Sequence, residues 1–200
     1  MSALGGMRRI CVFCGSALGS RPAYRDAAKR FGSALATRGL GLVYGGGSVG
    51  LMGVLADAVL AEGGEVIGVI PGPLATRELA HAGLTELYVV GSMHERKATM
   101  AQLSDGFVAL PGGLGTFEET LEVLTWTQLG IHTKPVGVLN VEGYWDGLQR
   151  MLAHAVREGF VRAEYAALLL FGTSAPELLD RFAAWRAPAF PRAWLDPGQI

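Results

Sequence analysis

The sequence predicts an α/β fold of the Rossmann-like, doubly wound kind, with a mostly parallel sheet and helices on both faces. Three observations predict it. Apolar strand-like runs alternate with segments of helical periodicity along the chain. The runs are continuous rather than alternating, as in Val66-Ile67-Gly68-Val69-Ile70, which suits strands covered on both sides. Glycine often punctuates the joins, at Gly39, Gly41, Gly63-Gly64 and Gly130.

The elements follow in order. Ile10-Cys11-Val12-Phe13-Cys14 marks a strand at 9–14, and a helical pattern occupies 22–38. Gly41-Leu42-Val43-Tyr44 is the strand at 41–44, followed by a helix at 49–62. Strands at 65–70 and 84–90 precede a helix at 92–104, where Ser92 and Glu95 spell a capping box. Phe107-Val108-Ala109-Leu110 defines a strand at 106–110. Leu121, Leu124, Gln128 and Leu129 give the periodicity of a helix at 116–130. A strand at 135–140, a helix at 144–158, a strand at 168–171 and a helix at 175–185 complete the rhythm. One domain accommodates all 200 residues, half of them hydrophobic. The tail from Arg186 to Ile200 holds Pro188, Pro191 and Pro197 and is expected to be irregular, packed on the surface or against a partner.

Composition narrows the function classes. A net charge of −1 argues against nucleic acid and against an anionic membrane surface as partner. Residues Met1 to Met7 lack a signal-peptide apolar region, and no apolar run approaches the roughly 20 residues of a membrane span. A soluble cytoplasmic protein is expected. Cys11 and Cys14 spell C-x-x-C, but they fall on a strand, where residues three apart point to opposite faces. A redox pair usually sits at a helix N-terminus, and zinc needs further ligands. Both are read as ordinary core or edge cysteines, and no metal site is expected.

Three motifs carry chemistry. Pro111-Gly112-Gly113-Leu114-Gly115-Thr116-Phe117-Glu118-Glu119 joins a strand to a helix. Its glycines let the backbone approach a ligand closely, and the helix start offers unpaired N–H groups suited to phosphate. Thr116-x-x-Glu119 also spells a capping box, so Glu119 is either a helix cap or a reactive carboxylate beside a phosphate cradle. Glu118 and Thr125 lie seven apart, on one helix face. Gly45-Gly46-Gly47-Ser48-Val49-Gly50 spells G-x-G-x-x-G between a strand and a helix. The confirming acid is missing after the next strand, and the motif follows the second strand rather than the first. A nucleotide-contacting loop of another kind, including Gly46 and Gly47, is therefore favoured over a dinucleotide fingerprint or a bare tight turn. In Ser92-Met93-His94-Glu95-Arg96-Lys97, two cations fall early in a helix, against its dipole. Arg96 is suited to fork a phosphate or grip a carboxylate.

Taken together, these motifs resemble the Lonely Guy (LOG) proteins, the cytokinin riboside 5′-monophosphate phosphoribohydrolases. Further matches are Thr125-Trp126-x-Gln128-Leu129-Gly130-x-His132-x-Lys134-Pro135-Val136 and Asn140-Val141-x-Gly143-Tyr144. The resemblance runs from about Arg9 to Leu179. It implies a Rossmann-like homodimer, without a cofactor, that hydrolyses the N-glycosidic bond of a nucleoside 5′-monophosphate to free base and ribose 5-phosphate. It places catalytic roles on Arg96 and Glu119. Substrate contacts fall on Glu78, Arg96, Lys97, Gly112, Gly113, Leu114, Gly115, Thr116, Phe117, Glu118 and Thr125. Members of this family have often been labelled lysine decarboxylases. The three lysines, Lys29, Lys97 and Lys134, argue against that chemistry here, since none reads as a cofactor-bearing lysine. The alternatives are a nucleosidase for plain AMP and a non-catalytic carrier of a nucleotide or molybdenum cofactor.

Overall fold

The computed structural model describes residues 6–75 and 80–188. Among the described residues, seven strands form one sheet in the order β4-β3-β2-β1-β5-β6-β7. They are β1 (Arg9–Phe13), β2 (Gly41–Tyr44), β3 (Val66–Pro71), β4 (Glu86–Val90), β5 (Gly106–Ala109), β6 (Val136–Leu139) and β7 (Leu169–Gly172). Every neighbouring pair is parallel. The expected strands all form: β2 matches its expected range, β3 and β7 sit one residue later, and β1, β4, β5 and β6 are one or two residues shorter.

The helices are α1 (Pro22–Thr37), α2 (Gly50–Ala61), α3 (Met93–Gln102), α4 (Leu114–Leu129), α5 (Asp146–Arg157), α6 (Ala163–Ala166) and α7 (Ala175–Ala183). Local chemistry sets many of their ends. Pro22 opens α1 with its φ already helical. Ser92 caps α3 by accepting from Glu95 N–H at 3.1 Å, and Glu95 reaches back to Gly91 N–H at 2.7 Å. The Ser92 half of the capping box forms as the spacing predicts, while the Glu95 half closes on Gly91, one residue before the N-cap. Gly130, at φ 78°, ends α4 in the left-handed conformation that glycine adopts without penalty. The four-residue α6 was not legible in the sequence, because one turn is too short to show a period.

The core has two halves. Ile10, Val12 and Cys14 face one side of the sheet, against Phe31, Leu55 and Leu178 of α1, α2 and α7. Cys11 and Phe13 face the other, with Met100 of α3 and Val123 of α4. The two cysteines are buried, free and on opposite faces, Cys11 within β1 and Cys14 directly after it. Among the described residues, no helix is long and apolar enough to cross a membrane.

The connections from β1 leave toward β2 on one side, while β5 pairs on the other side. Strand order therefore reverses between β1 and β5. The loops after these strands part there, and a crevice opens at the carboxyl ends of the strands, where open α/β sheets take their ligands.

Candidate active site

The crevice is built from three loops and one side chain. The loop after β1 (Cys14-Gly15-Ser16) packs between the loop after β2 and the loop after β5. Gly15 N–H donates to Pro111 O at 3.1 Å, and Gly15 O accepts from Leu51 N–H at 3.0 Å. A Cβ at Gly50 would come within 2.2 Å of the Ser16 carbonyl carbon, so only glycine lets these two loops touch. The loops and the start of α4 enclose a cavity of about 280 Å³ with Gly45, Met52, Arg96, Met100 and Glu119 in its lining.

The glycines of the β5–α4 loop divide into two kinds. A Cβ at Gly112 would lie 2.1 Å from Thr116 Oγ1 and 2.8 Å from Gly15 N, so internal packing requires glycine there. At Gly113 and Gly115 a Cβ would meet no protein atom within 4 Å. Neither of these two has a positive φ. Protein packing thus gives no reason for glycine at either. Close approach of a ligand to the backbone does. Both line the cavity, together with Leu114 and Thr116. Gly113 is the N-cap of α4 and has no side chain to cap it, which leaves the N–H groups of the first turn without intrahelical partners.

This helix start corrects the capping-box reading. α4 begins at Leu114, two residues before the expected start at 116. Thr116 is the third residue of the helix and Glu119 the sixth, so Glu119 has no orphan N–H to cap. Its side chain turns inward instead, leaving the residue 9% exposed. Arg96 meets it there, with Nη1 3.6 Å from Glu119 Oε1. The guanidinium is held from behind by two main-chain acceptors. Nε donates to Val69 O at 3.0 Å and Nη2 to Gly45 O at 3.2 Å. It passes over Gly45 so closely that a Cβ there would lie 1.9 Å from Nη2.

Burial pushes the Glu119 carboxyl up to about 7. Arg96 opposes the rise, and the neighbouring Glu118 carboxylate adds to it. Near neutral pH the group is thus poised between its acid and its base form, as catalytic carboxyls are.

Lys97 points elsewhere. Its Nζ lies 2.5 Å from Glu118 Oε1 and 2.9 Å from Glu122 Oε1 on α4. These two bonds outweigh the effect of burial and raise its pKa, so it stays protonated. Lys134 Nζ donates to Ala101 O at 2.7 Å, and Lys29 is exposed on α1. Lys97 and Lys134 are thus engaged, and Lys29 lies at an open surface groove away from the crevice.

The other expected site residues fall in different places. Glu118 lies on the cavity rim with Leu114, which is 84% exposed. Phe117 leans out of the loop against Trp145, with ring centroids 5.5 Å apart. Gly46 and Gly47 are buried against β3 and the segment after residue 79. Gly46 O accepts from His81 N–H, Gly47 bridges Ala80, and neither lines the cavity. Thr125 is exposed, its hydroxyl bonded to Leu121 O at 2.7 Å, and sits about 10 Å along the helix from Glu118. Glu78 lies outside the described residues. Sequence reasoning gave no role to Gly15, Met52 and Met100, which line the crevice. Gly15 had a signal, a glycine directly after a buried strand; the methionines had none.

A family model described as possible lysine decarboxylase matches residues 52–182. The chain is 52% identical over 173 residues to cytokinin riboside 5′-monophosphate phosphoribohydrolase LOG2 of Arabidopsis thaliana, covering 86% of this chain and 81% of that protein. It is 54% identical over 174 residues to the probable cytokinin riboside 5′-monophosphate phosphoribohydrolase LOGL9 of Oryza sativa subsp. japonica, covering 87% and 77%. Among solved structures it resembles the molybdenum cofactor binding protein of Rippkaea orientalis with a TM-score of 0.67 at 22% identity, over 88% of this chain and 96% of that one. That likeness concerns the fold alone. By the family match and by identity above half over most of both chains, this protein belongs to the family described as possible lysine decarboxylases, the Lonely Guy (LOG) family that its motifs resemble.

Proposed function

We propose that this protein hydrolyses the N-glycosidic bond of a nucleoside 5′-monophosphate, a cytokinin riboside 5′-monophosphate or AMP, to free base and ribose 5-phosphate. The observation that carries the reading is the buried Arg96–Glu119 pair beside a glycine loop and helix start that line the same cavity. N-glycoside cleavage passes through an oxocarbenium-like sugar. Glu119, ionised, stabilises that positive charge and takes a proton from water as its oxygen bonds to the anomeric carbon. The base leaves with the bonding electron pair and takes up the proton that Glu119 removed from water, which returns the carboxylate. Arg96 holds Glu119 in place. The loop from Gly112 to Thr116 grips the 5′-phosphate, and that remote binding energy orients the sugar over the carboxylate. Glu118, on the rim, extends the substrate contacts, and Lys97 acts there through its bond to Glu118.

Incubation with AMP and with isopentenyladenosine monophosphate, followed by chromatography for free base, tests the reading. Release of adenine or isopentenyladenine from either is expected. No base from both, with tight binding retained, points to a carrier. Which of the two turns over faster decides the base preference.

The cytoplasmic homodimer belongs to the same proposal. Leu114, Phe117 and Leu121 form an exposed apolar stripe on α4, and Met151 of the adjacent α5 is 62% exposed. No α5 residue is fully buried. A second copy on this face covers the stripe and brings Thr125 to the partner's side of the interface. Sedimentation of the purified protein is expected to give twice the chain mass of 21.1 kDa. The Leu121→Glu variant is expected to sediment as a monomer.

A further inference from the structure

Tyr144 lies outside the cavity lining, yet its hydroxyl donates to the Gly112 carbonyl across 32 residues of chain. The backbone before it is forced into an uncommon shape. A short 3₁₀ turn spans Val141–Gly143, with Glu142 at φ 48° and Gly143 at φ 75°, both left-handed. A non-glycine residue there is strained and persists only where its surroundings hold it. Glu142 Oε2 accepts from Arg21 Nη1 at 2.9 Å. Asn140 closes the turn, accepting from Trp145 N–H and donating to Asp146 Oδ1, both at 2.7 Å. The Tyr144 ring is wedged edge-on to Tyr24, at 5.7 Å, and to Trp145, at 5.3 Å. All of this fixes where one hydroxyl points.

The consequence falls on the glycine loop. Pro111 O is tied to Gly15 N–H, and Gly112 O, the next carbonyl, is tied to Tyr144. In a trans peptide the C=O of one residue and the N–H of the next point in opposite directions. Holding Gly112 O outward therefore turns Gly113 N–H toward the cavity that Gly113 lines. Glycine on both sides gives this peptide unit little torsional resistance of its own. Turned over, it would aim a carbonyl oxygen at the ligand. We propose that Tyr144 is a positioning residue that orients the Gly112–Gly113 peptide for a phosphate oxygen, a role that rests on the hydrolase reading of the site.

Tyr144→Phe keeps the ring packing and removes only the donor. Its kcat/KM for the nucleoside monophosphate is expected to fall about tenfold, the loss that one oriented hydrogen bond amounts to, and mainly through KM. The slow cleavage of the matching nucleoside, which has no phosphate, is expected to keep its rate. Equal losses on both substrates, or none on either, overturn the proposal. In the wild-type protein, ribose 5-phosphate but not ribose is expected to move the Gly113 amide resonance, and an unmoved Gly113 overturns it whatever the variant does. If the wild type releases no base from any nucleoside monophosphate, the hydrolase reading fails by itself. Calorimetric binding of ribose 5-phosphate then still decides on Tyr144: about tenfold weaker binding by Tyr144→Phe supports the role, and equal affinity rejects it.

Discussion

Glu119→Gln is expected to fold and to lose hydrolysis by about 10²-fold to 10⁴-fold in kcat, the range for removing a positioned general base. The substitution preserves shape and burial and deletes the ionisable group. Stability is expected to move little, because two effects oppose each other. The carboxyl rises from 4.5 to about 7 in the fold, so burial disfavours its ionised form by about 3 kcal/mol, and glutamine escapes that penalty. Against this, Arg96 loses its counter-charge. Thermal unfolding beside steady-state kinetics separates the outcomes: near-wild-type turnover would remove Glu119 from the mechanism. The pH dependence has two signs. The folded state holds the Glu119 proton more tightly than the unfolded chain does, so its contribution to stability is present below 4.5 and is lost as pH rises through about 7. Activity runs the other way, because the ionised form does the chemistry. The kcat/KM profile is expected to climb through a limb near 7 while the melting temperature drifts down over the same interval. A flat activity profile between pH 5 and 9 would contradict the assignment.

Gly45→Ala is expected to keep the fold and lose most of the activity, by about 10²-fold. Gly45 has no positive φ, so alanine meets no backbone strain there. Its Cβ would lie 1.9 Å from Arg96 Nη2 and 3.5 Å from Met52 Sδ. The atom that must yield is the end of a long side chain rather than backbone, so the sheet itself need not shift. It cannot move without leaving Gly45 O and Glu119. Glu119 then loses the larger of the two charges that lower its pKa, Lys97 being the other, and the activity limb shifts to higher pH. Arg96→Gln is expected to lose about as much activity, and the double variant hardly more than either single one, since both act on one guanidinium. Additive losses would show that Gly45 acts through something other than Arg96.

Most of the sheet was legible because each strand carries its own signal, a continuous apolar run closed by turn residues. The helix starts were uneven. At Ser92 the N-cap in the spelling is the one in the structure, because a side-chain acceptor specifies its N-cap directly. At Thr116 the same spelling misleads. Gly113 caps α4 with backbone alone, and a cap without a side chain leaves no letter to read. Thr125 and Glu118 share a face as their spacing says and line one shallow surface groove with Leu121 and Trp126, but Thr125 does not reach the crevice that holds Arg96 and Glu119. Tyr144 stood in a motif without a role, because its hydroxyl acts on a loop 32 residues earlier.

The sequence by itself determined the alternation of strands and helices, the parallel sheet, and the two glycine loops at strand ends. These follow from periodicity and backbone freedom, which are local properties. Only the tertiary structure decided that Glu119 is not a helix cap. That outcome depended on where α4 begins, and the partner the carboxyl meets instead is Arg96, 23 residues away in the chain and anchored to Gly45 after β2 and Val69 in β3. Burial and an opposed charge are properties of the assembled crevice, and they are what set the Glu119 carboxyl near neutrality.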